Sequence, residues 1–140
     1  MIRTLQETDT QTFSFGHTMQ EPTSDDWFIE ANNAWDAGAN RKALALFLKA
    51  AAAGDVHAFN SVGYFLDHGI GVKKDPAAAR DWYRKAARRG DIAGCSNLAV
   101  CYRDEGNLRW ARHWLERALA LGDDDAALEL KKLGRAKGAA

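Results

Sequence analysis

From residue 40 onward, apolar and small residues recur every three or four positions, the spacing of one face of an α-helix. The pattern is clearest in three stretches, KALALFLKAAAAGD, AARDWYRKAARRGD and ARHWLERALALGD. They close on Gly54-Asp55, Gly90-Asp91 and Gly122-Asp123, 36 and 32 residues apart. Laid in register they agree in four columns: Ala43 with Ala79 and Ala111, Leu46 with Trp82 and Trp114, Phe47 with Tyr83 and Leu115, and Ala50 with Ala86 and Ala118. A small residue alternating with a bulky one is what two closely packed helices require. Self-similarity at this period marks stacked supersecondary units, none of which can bury its apolar face alone.

The punctuation agrees. Asn40, Asp75 and Asn107 stand where a helix N-cap is wanted, and Pro76 follows Asp75 at a position where its missing N–H costs nothing. Gly54, Gly90 and Gly122 fall where a helix ends in a left-handed residue, and the Asp after each can cap the next helix. These signals predict helices over 24–38, 40–53, 55–68, 75–89, 91–105, 107–121 and 123–137, with no strand. The first six pair into helix-turn-helix units over 24–54, 55–90 and 91–122, and the seventh closes the stack. Residues 1–23 form an N-terminal extension. It is rich in Thr and Gln but carries Leu5, Phe13 and Phe15, and is either partly disordered or docked through those side chains.

The middle unit reads Ala58, Val62-Gly63, Leu66, Gly69-Ile70-Gly71-Val72, Asp75, Ala79, Trp82-Tyr83, Ala86-Ala87 and Gly90. It resembles the Sel-one-like repeat, a relative of the tetratricopeptide repeat, in its GV turn, its WY pair and its AA-x-x-G ending. The third unit matches more loosely through Asn97-Leu98-Ala99, Tyr102, Ala111, Trp114-Leu115 and Ala118, and lacks the four-residue turn insertion. In the first unit the second helix fits, while Glu30 falls where an apolar residue is expected. The resemblance covers roughly residues 24 to 137. It implies an all-α fold, a right-handed α-α superhelix of about three repeats with a C-terminal capping helix. It also implies an adaptor or scaffold role, with the first helix of each pair lining a concave face that receives a protein or peptide. The compact repeats point to a bacterial protein.

Composition narrows the classes. With 140 residues the chain has room for one domain, and 46% hydrophobic with 27% charged residues is a globular balance. Lys+Arg and Asp+Glu are equal at 19 each, so no net field favours nucleic acid or an anionic membrane. The apolar runs are too short to span a bilayer. The first residues lack the basic start and apolar stretch of a secretory signal, which makes the cytoplasm the expected location. Cys95 and Cys101 fall on one predicted helix, about 9 Å apart along its axis and on different faces, too far for a disulfide.

Catalytic motifs are missing. The Gly69–Val72 turn contains G-x-G, but no strand precedes it and no third Gly follows, so it reads as a turn with Val72 tucked inward. His57 and His68 lie about 16 Å apart along one helix and cannot share an ion. His17 and His113 lack ligand spacing, and Asp123-Asp124-Asp125 is what capping at a helix start provides. Neither enzyme activity, a metal nor a cofactor is expected.

Trp82, Tyr83, Trp114, Leu115 and Phe47 are assigned to the core, with Trp82→Ala expected to cost about 3–5 kcal/mol. The first-helix positions left over become the candidate partner-binding surface: His57, Asn60, Tyr64, Asp67 and His68 in the second unit, and Ser96, Val100, Arg103 and Asp104 in the third. Phe28, Asn32 and Trp35 join from the first, unless Phe28 and Trp35 pack as a cap. Charge is also uneven. The first helix carries Asp25, Asp26, Glu30 and Asp36 without a base, whereas the fourth carries Arg80, Arg84, Lys85, Arg88 and Arg89 against Asp81 alone. Two alternative functions follow: a structural homo-oligomer joined through acidic and basic repeat ends, and nucleic-acid binding through the Arg80–Arg89 strip. The second is disfavoured by neutral charge and missing stacking rings.

Overall fold

A computed structural model of the chain describes residues 20–139. Seven helices follow one another as α1 Ser24–Asp36, α2 Asn40–Ala52, α3 Val56–His68, α4 Pro76–Arg88, α5 Ile92–Asp104, α6 Leu108–Ala120 and α7 Asp125–Ala139, each packed on the next in sequential hairpins. No strand occurs among the described residues. No described helix is long and apolar enough to cross a membrane. Leu5, Phe13, Phe15 and His17 lie outside the described residues.

Helix starts follow the capping chemistry. Asp55 accepts from the backbone N–H of His57 and Ala58 at 2.9 and 3.3 Å, Asp75 from Ala78 at 3.1 Å, and Asp91 from Gly94 at 2.7 Å. Asn107 accepts from Trp110 at 3.3 Å and Asp123 from Asp125 at 3.1 Å. Each bond satisfies an amide that has no partner inside its own helix. Asn40 is the exception. It is the first residue of α2, and the cap position falls on Ala39, which has no side chain to offer. At α1, Thr23 and Asp26 form a reciprocal capping box.

The alanine and ring columns make the core. Ala43, Ala79, Ala50, Ala86, Ala118 and Phe47 are wholly buried, and Ala111 and Tyr83 nearly so. Around Phe47, the rings of Phe28 and Phe65 stand edge-on at 5.5 and 5.4 Å and Trp35 at 6.4 Å. The second cluster gathers Tyr83, Cys95, Leu98, Trp114, Leu115 and Leu133. Between them α5 reaches α4 at Gly94, where a Cβ would stand 2.7 Å from Ala86 Cβ and 2.9 Å from the Ala87 nitrogen. Only glycine permits helices that close.

Four expectations need correction. Trp82 is half-buried: Ala79, Tyr83, Ala86 and Ala87 take the inward face of α4, and the indole lies at its flank between Phe59 and the Lys85 ammonium. In the α3–α4 turn Ile70 packs on the core while Val72 is exposed; Gly71, at φ +67°, presses against the Asn40 backbone, where a Cβ would meet the carbonyl carbon at 2.8 Å. Glu30 points outward, because Ala31 and Ala34 supply the inward face of α1. Finally, the basic helix α4 sits mid-stack and not at an end. Its Arg80 pairs with Glu105, and its Arg84 pairs with Asp81 and donates to the Tyr102 hydroxyl.

Candidate functional site

The first helices α1, α3, α5 and α7 lie side by side, joined by contacts that cross from one unit to the next. Between α1 and α3, Phe28 meets His57 with ring centroids 6.2 Å apart, and Trp35 meets Tyr64 at 5.9 Å. Between α3 and α5, Asn97 donates to the Asn60 side-chain oxygen at 3.0 Å, and His57 Nδ1 lies 3.3 Å from Asp91 Oδ1. Between α5 and α7, the Ser96 hydroxyl donates to Asp123 at 2.8 Å and Arg103 reaches Glu129 at 3.4 Å.

These contacts sort the residues expected on a binding surface. Phe28 and Trp35 are half-buried against the first core cluster, so they pack as a cap. The Asn32 amide donates to the Phe28 carbonyl at 3.0 Å, Asn60 is held by Asn97, and Asp67 accepts from the Tyr83 hydroxyl at 3.2 Å. Their polar groups already have partners, within its own helix for Asn32 and on helices distant in sequence for Asn60 and Asp67. Tyr64 and His68 are exposed and stacked on each other at 4.1 Å, next to Trp35. His57 is exposed beside Asp91, and Asp104 is exposed with Arg103 at 3.3 Å.

Ser96, Val100 and Arg103 come together in one feature, a cleft of about 530 Å³ between α5 and α7 with α6 as its floor. Ala99, Val100, Leu108, Leu115, Ala126 and Leu133 give it apolar walls; Arg103, Asp123, Asp125, Glu129 and Lys132 ring it with charge. A concave apolar space with a few polar groups at its edge is the general form of a ligand seat. The α6 and α7 residues were absent from the sequence-based candidates, yet one signal was available. In the column where Phe47 fills the space between α1 and α3, and Tyr83 that between α3 and α5, the third unit has Leu115. Leu115 lies in the floor of the cleft.

Behind the face, α4 and α5 enclose groups that resist ionisation. Burial and the neighbouring Asp67 carboxylate push the Tyr83 phenol well above its ordinary range. Burial, with Asp67, Glu105 and Asp104, moves the Cys101 thiol from its ordinary 9.0 up to about 11. Burial also raises Cys95. A raised acid pKa means that the folded chain holds a proton which the unfolded chain releases. The stability these groups confer is therefore complete below about pH 9 and falls as pH rises toward 11. Denaturant midpoints should decline across that window, and Tyr83→Phe should flatten the upper part of the decline, above the ordinary phenol value. Midpoints unchanged between those limits would contradict this. Among the described residues no three His, Cys, Asp or Glu side chains gather as a metal site would need.

Comparison with known proteins adds the family. The sequence model of the Sel1 repeat matches residues 40–55, 60–91 and 92–123, more than half of the chain. Chitin synthase regulatory factor 3 of Schizosaccharomyces pombe is 34% identical over 64 residues, covering 46% of this chain and 7% of that protein. The crystal structure of a Sel1 repeat protein from Oxalobacter formigenes superposes with a TM-score of 0.69 at 32% identity, over 76% of this chain and 45% of that one. A protective antigen of uropathogenic Escherichia coli displaying the SLR fold gives 0.60 at 33% identity, over 64% of this chain and 20% of that one. The chain spans less than half the length of each.

Proposed function

The chain belongs to the Sel1 repeat family, and from that premise we propose that it is a non-catalytic scaffold whose partner, a peptide or small domain, lies along the first-helix face and seats an apolar side chain in the cleft between α5 and α7. The observation that carries this reading is Leu115. With Leu108 and Leu133 it lines an apolar opening rimmed by side chains able to bond a peptide backbone. Tyr64, stacked on His68, offers an aromatic surface further along the same face. Aromatic and Arg side chains supply most of the energy at such interfaces. The name of one relative, chitin synthase regulatory factor 3, supports a binding role.

Leu115→Phe tests the seat without dismantling the stack. A ring there projects into the cleft from its floor and narrows the seat, so the melting temperature should hold or rise, as cavity filling usually gives. Affinity capture should then lose the partner retained by the unaltered chain. A seat worth about 2 kcal/mol or more corresponds to more than about tenfold in affinity. Tyr64→Ala with Arg103→Ala should weaken capture as well, with stability changed by about 0.5 kcal/mol or less. Identical captures by the folded variants and the unaltered chain would refute the assignment.

A further inference from the structure

The two most exposed large hydrophobic side chains among those described are Ile29, at 59%, and Leu128, at 52%. One sits on the first described helix and the other on the last, and neither joins a core cluster. Their surroundings differ in charge. On α1 the exposed stripe Asp26, Ile29, Glu30 and Asn33 follows helical spacing, with Asp25 and Asp36 beside it, and residues 20–40 contain no Lys or Arg. On α7 the exposed stripe is Leu128, Lys131, Lys132 and Arg135, basic toward its C-terminal end, while the exposed Asp124 and Asp125 stand at its start. Among the described residues Lys131 and Arg135 form no ion pair, and neither do Asp25, Glu30 and Asp36.

We propose that these faces recognise each other between copies of this chain, α1 of one molecule lying along α7 of the next, with Ile29 against Leu128 and Glu30 and Asp36 against Lys131 and Arg135. The charge complementarity selects this occupant: α1 would repel its own kind, and the basic end of α7 supplies the counter-charge that a symmetric α1–α1 pairing lacks. A contact that joins unlike faces leaves one of each free on a dimer, so it extends to further copies, as a ring where the rotation closes and as a chain where it does not. Two short helices bury less than the roughly 1,200–2,000 Å² of a stable interface, so the association is weak, grows with concentration and is sensitive to salt. The contact is separate from the cleft, which neither Lys131 nor Arg135 lines, so its failure leaves the peptide-binding reading intact.

Light scattering of the full chain over a concentration series tests it. At low salt the weight-average mass should climb past that of a dimer, and it should return to the monomer value at about 1 M salt, where the screening length shrinks to about 3 Å. Glu30→Lys with Asp36→Lys cancels the acidic charge of α1, where Asp25 and Asp26 remain, and Lys131→Glu with Arg135→Glu makes the α7 face acidic as well. Each double variant, verified as folded by circular dichroism, should stay monomeric alone, and an equimolar mixture of the two should assemble again. An unaltered chain that is monomeric at every concentration in low salt would overturn the proposal. So would assembly that survives 1 M salt or both charge reversals, or a mixture that remains monomeric.

Discussion

Truncating Phe47 to Ala is expected to lower the unfolding free energy by about 3–5 kcal/mol, the range for deleting a buried ring. Phe47 is wholly buried, and its ring is met by those of Phe28, Trp35 and Phe65 from the helices on either side. Removal therefore takes away transfer energy, leaves a cavity and breaks three edge-to-face contacts, each worth about 0.5–1.5 kcal/mol beyond burial. A domain of this size has about 5–15 kcal/mol in total, so much of the stability resides in one side chain. Trp82→Ala, whose indole is only partly buried, should cost clearly less. Urea denaturation of both variants checks the order, and a larger loss at Trp82 would contradict the packing described above.

The second large effect comes from adding volume. Gly94→Val places a branched side chain where even a Cβ meets Ala86 Cβ at 2.7 Å and the Ala87 nitrogen at 2.9 Å. The backbone nitrogen cannot rotate aside, so α4 and α5 must separate. Overpacking of this kind costs about 1–3 kcal/mol and occasionally more, and here the strain lies in the seam joining the second and third units. Combining Gly94→Ala with Ala86→Gly should recover only part of the loss caused by Gly94→Ala, since the first contact is relieved and the second remains. Full recovery in thermal or chemical denaturation would show that side-chain crowding alone holds the helices apart.

The contrast between these positions shows what was legible in the sequence. Helix limits could be read because Asp55, Asp75, Asp91, Asn107 and Asp123 are local signals, each acting within three residues of itself. The columns of Ala43, Phe47, Tyr83 and Ala86 could be read because burial repeats with the unit. The family model begins only at residue 40; α1 carries no motif and earns its place by shape, with Ala31 and Ala34 turned inward. Misreadings fell where the outcome depends on what stands opposite. Trp82 shares a column with Trp114 but lies at the flank of α4, and Ile70 and Val72 compete for one place in a turn.

The site was harder for the same reason. Ser96, Val100 and Arg103 were found as free positions on a first helix. The bond between Asn60 and Asn97 and the one from Tyr83 to Asp67 join residues from different helices, and no spacing along the chain announces them. The cleft itself brings together Val100, Leu115 and Leu133 from three helices, which no spacing along the chain announces.

Amide hydrogen exchange, recorded on the chain alone and then bound to its captured partner, tests most directly whether the first-helix face holds company. Slowing should concentrate in α5 over residues 96–104 and in α7 over 125–133, with a smaller change around Tyr64, while the exposed flank of α4 from Asp81 to Arg88 exchanges as before. Protection centred on α2, α4 and α6 with α5 and α7 unaltered would place the partner on the opposite side and contradict the account.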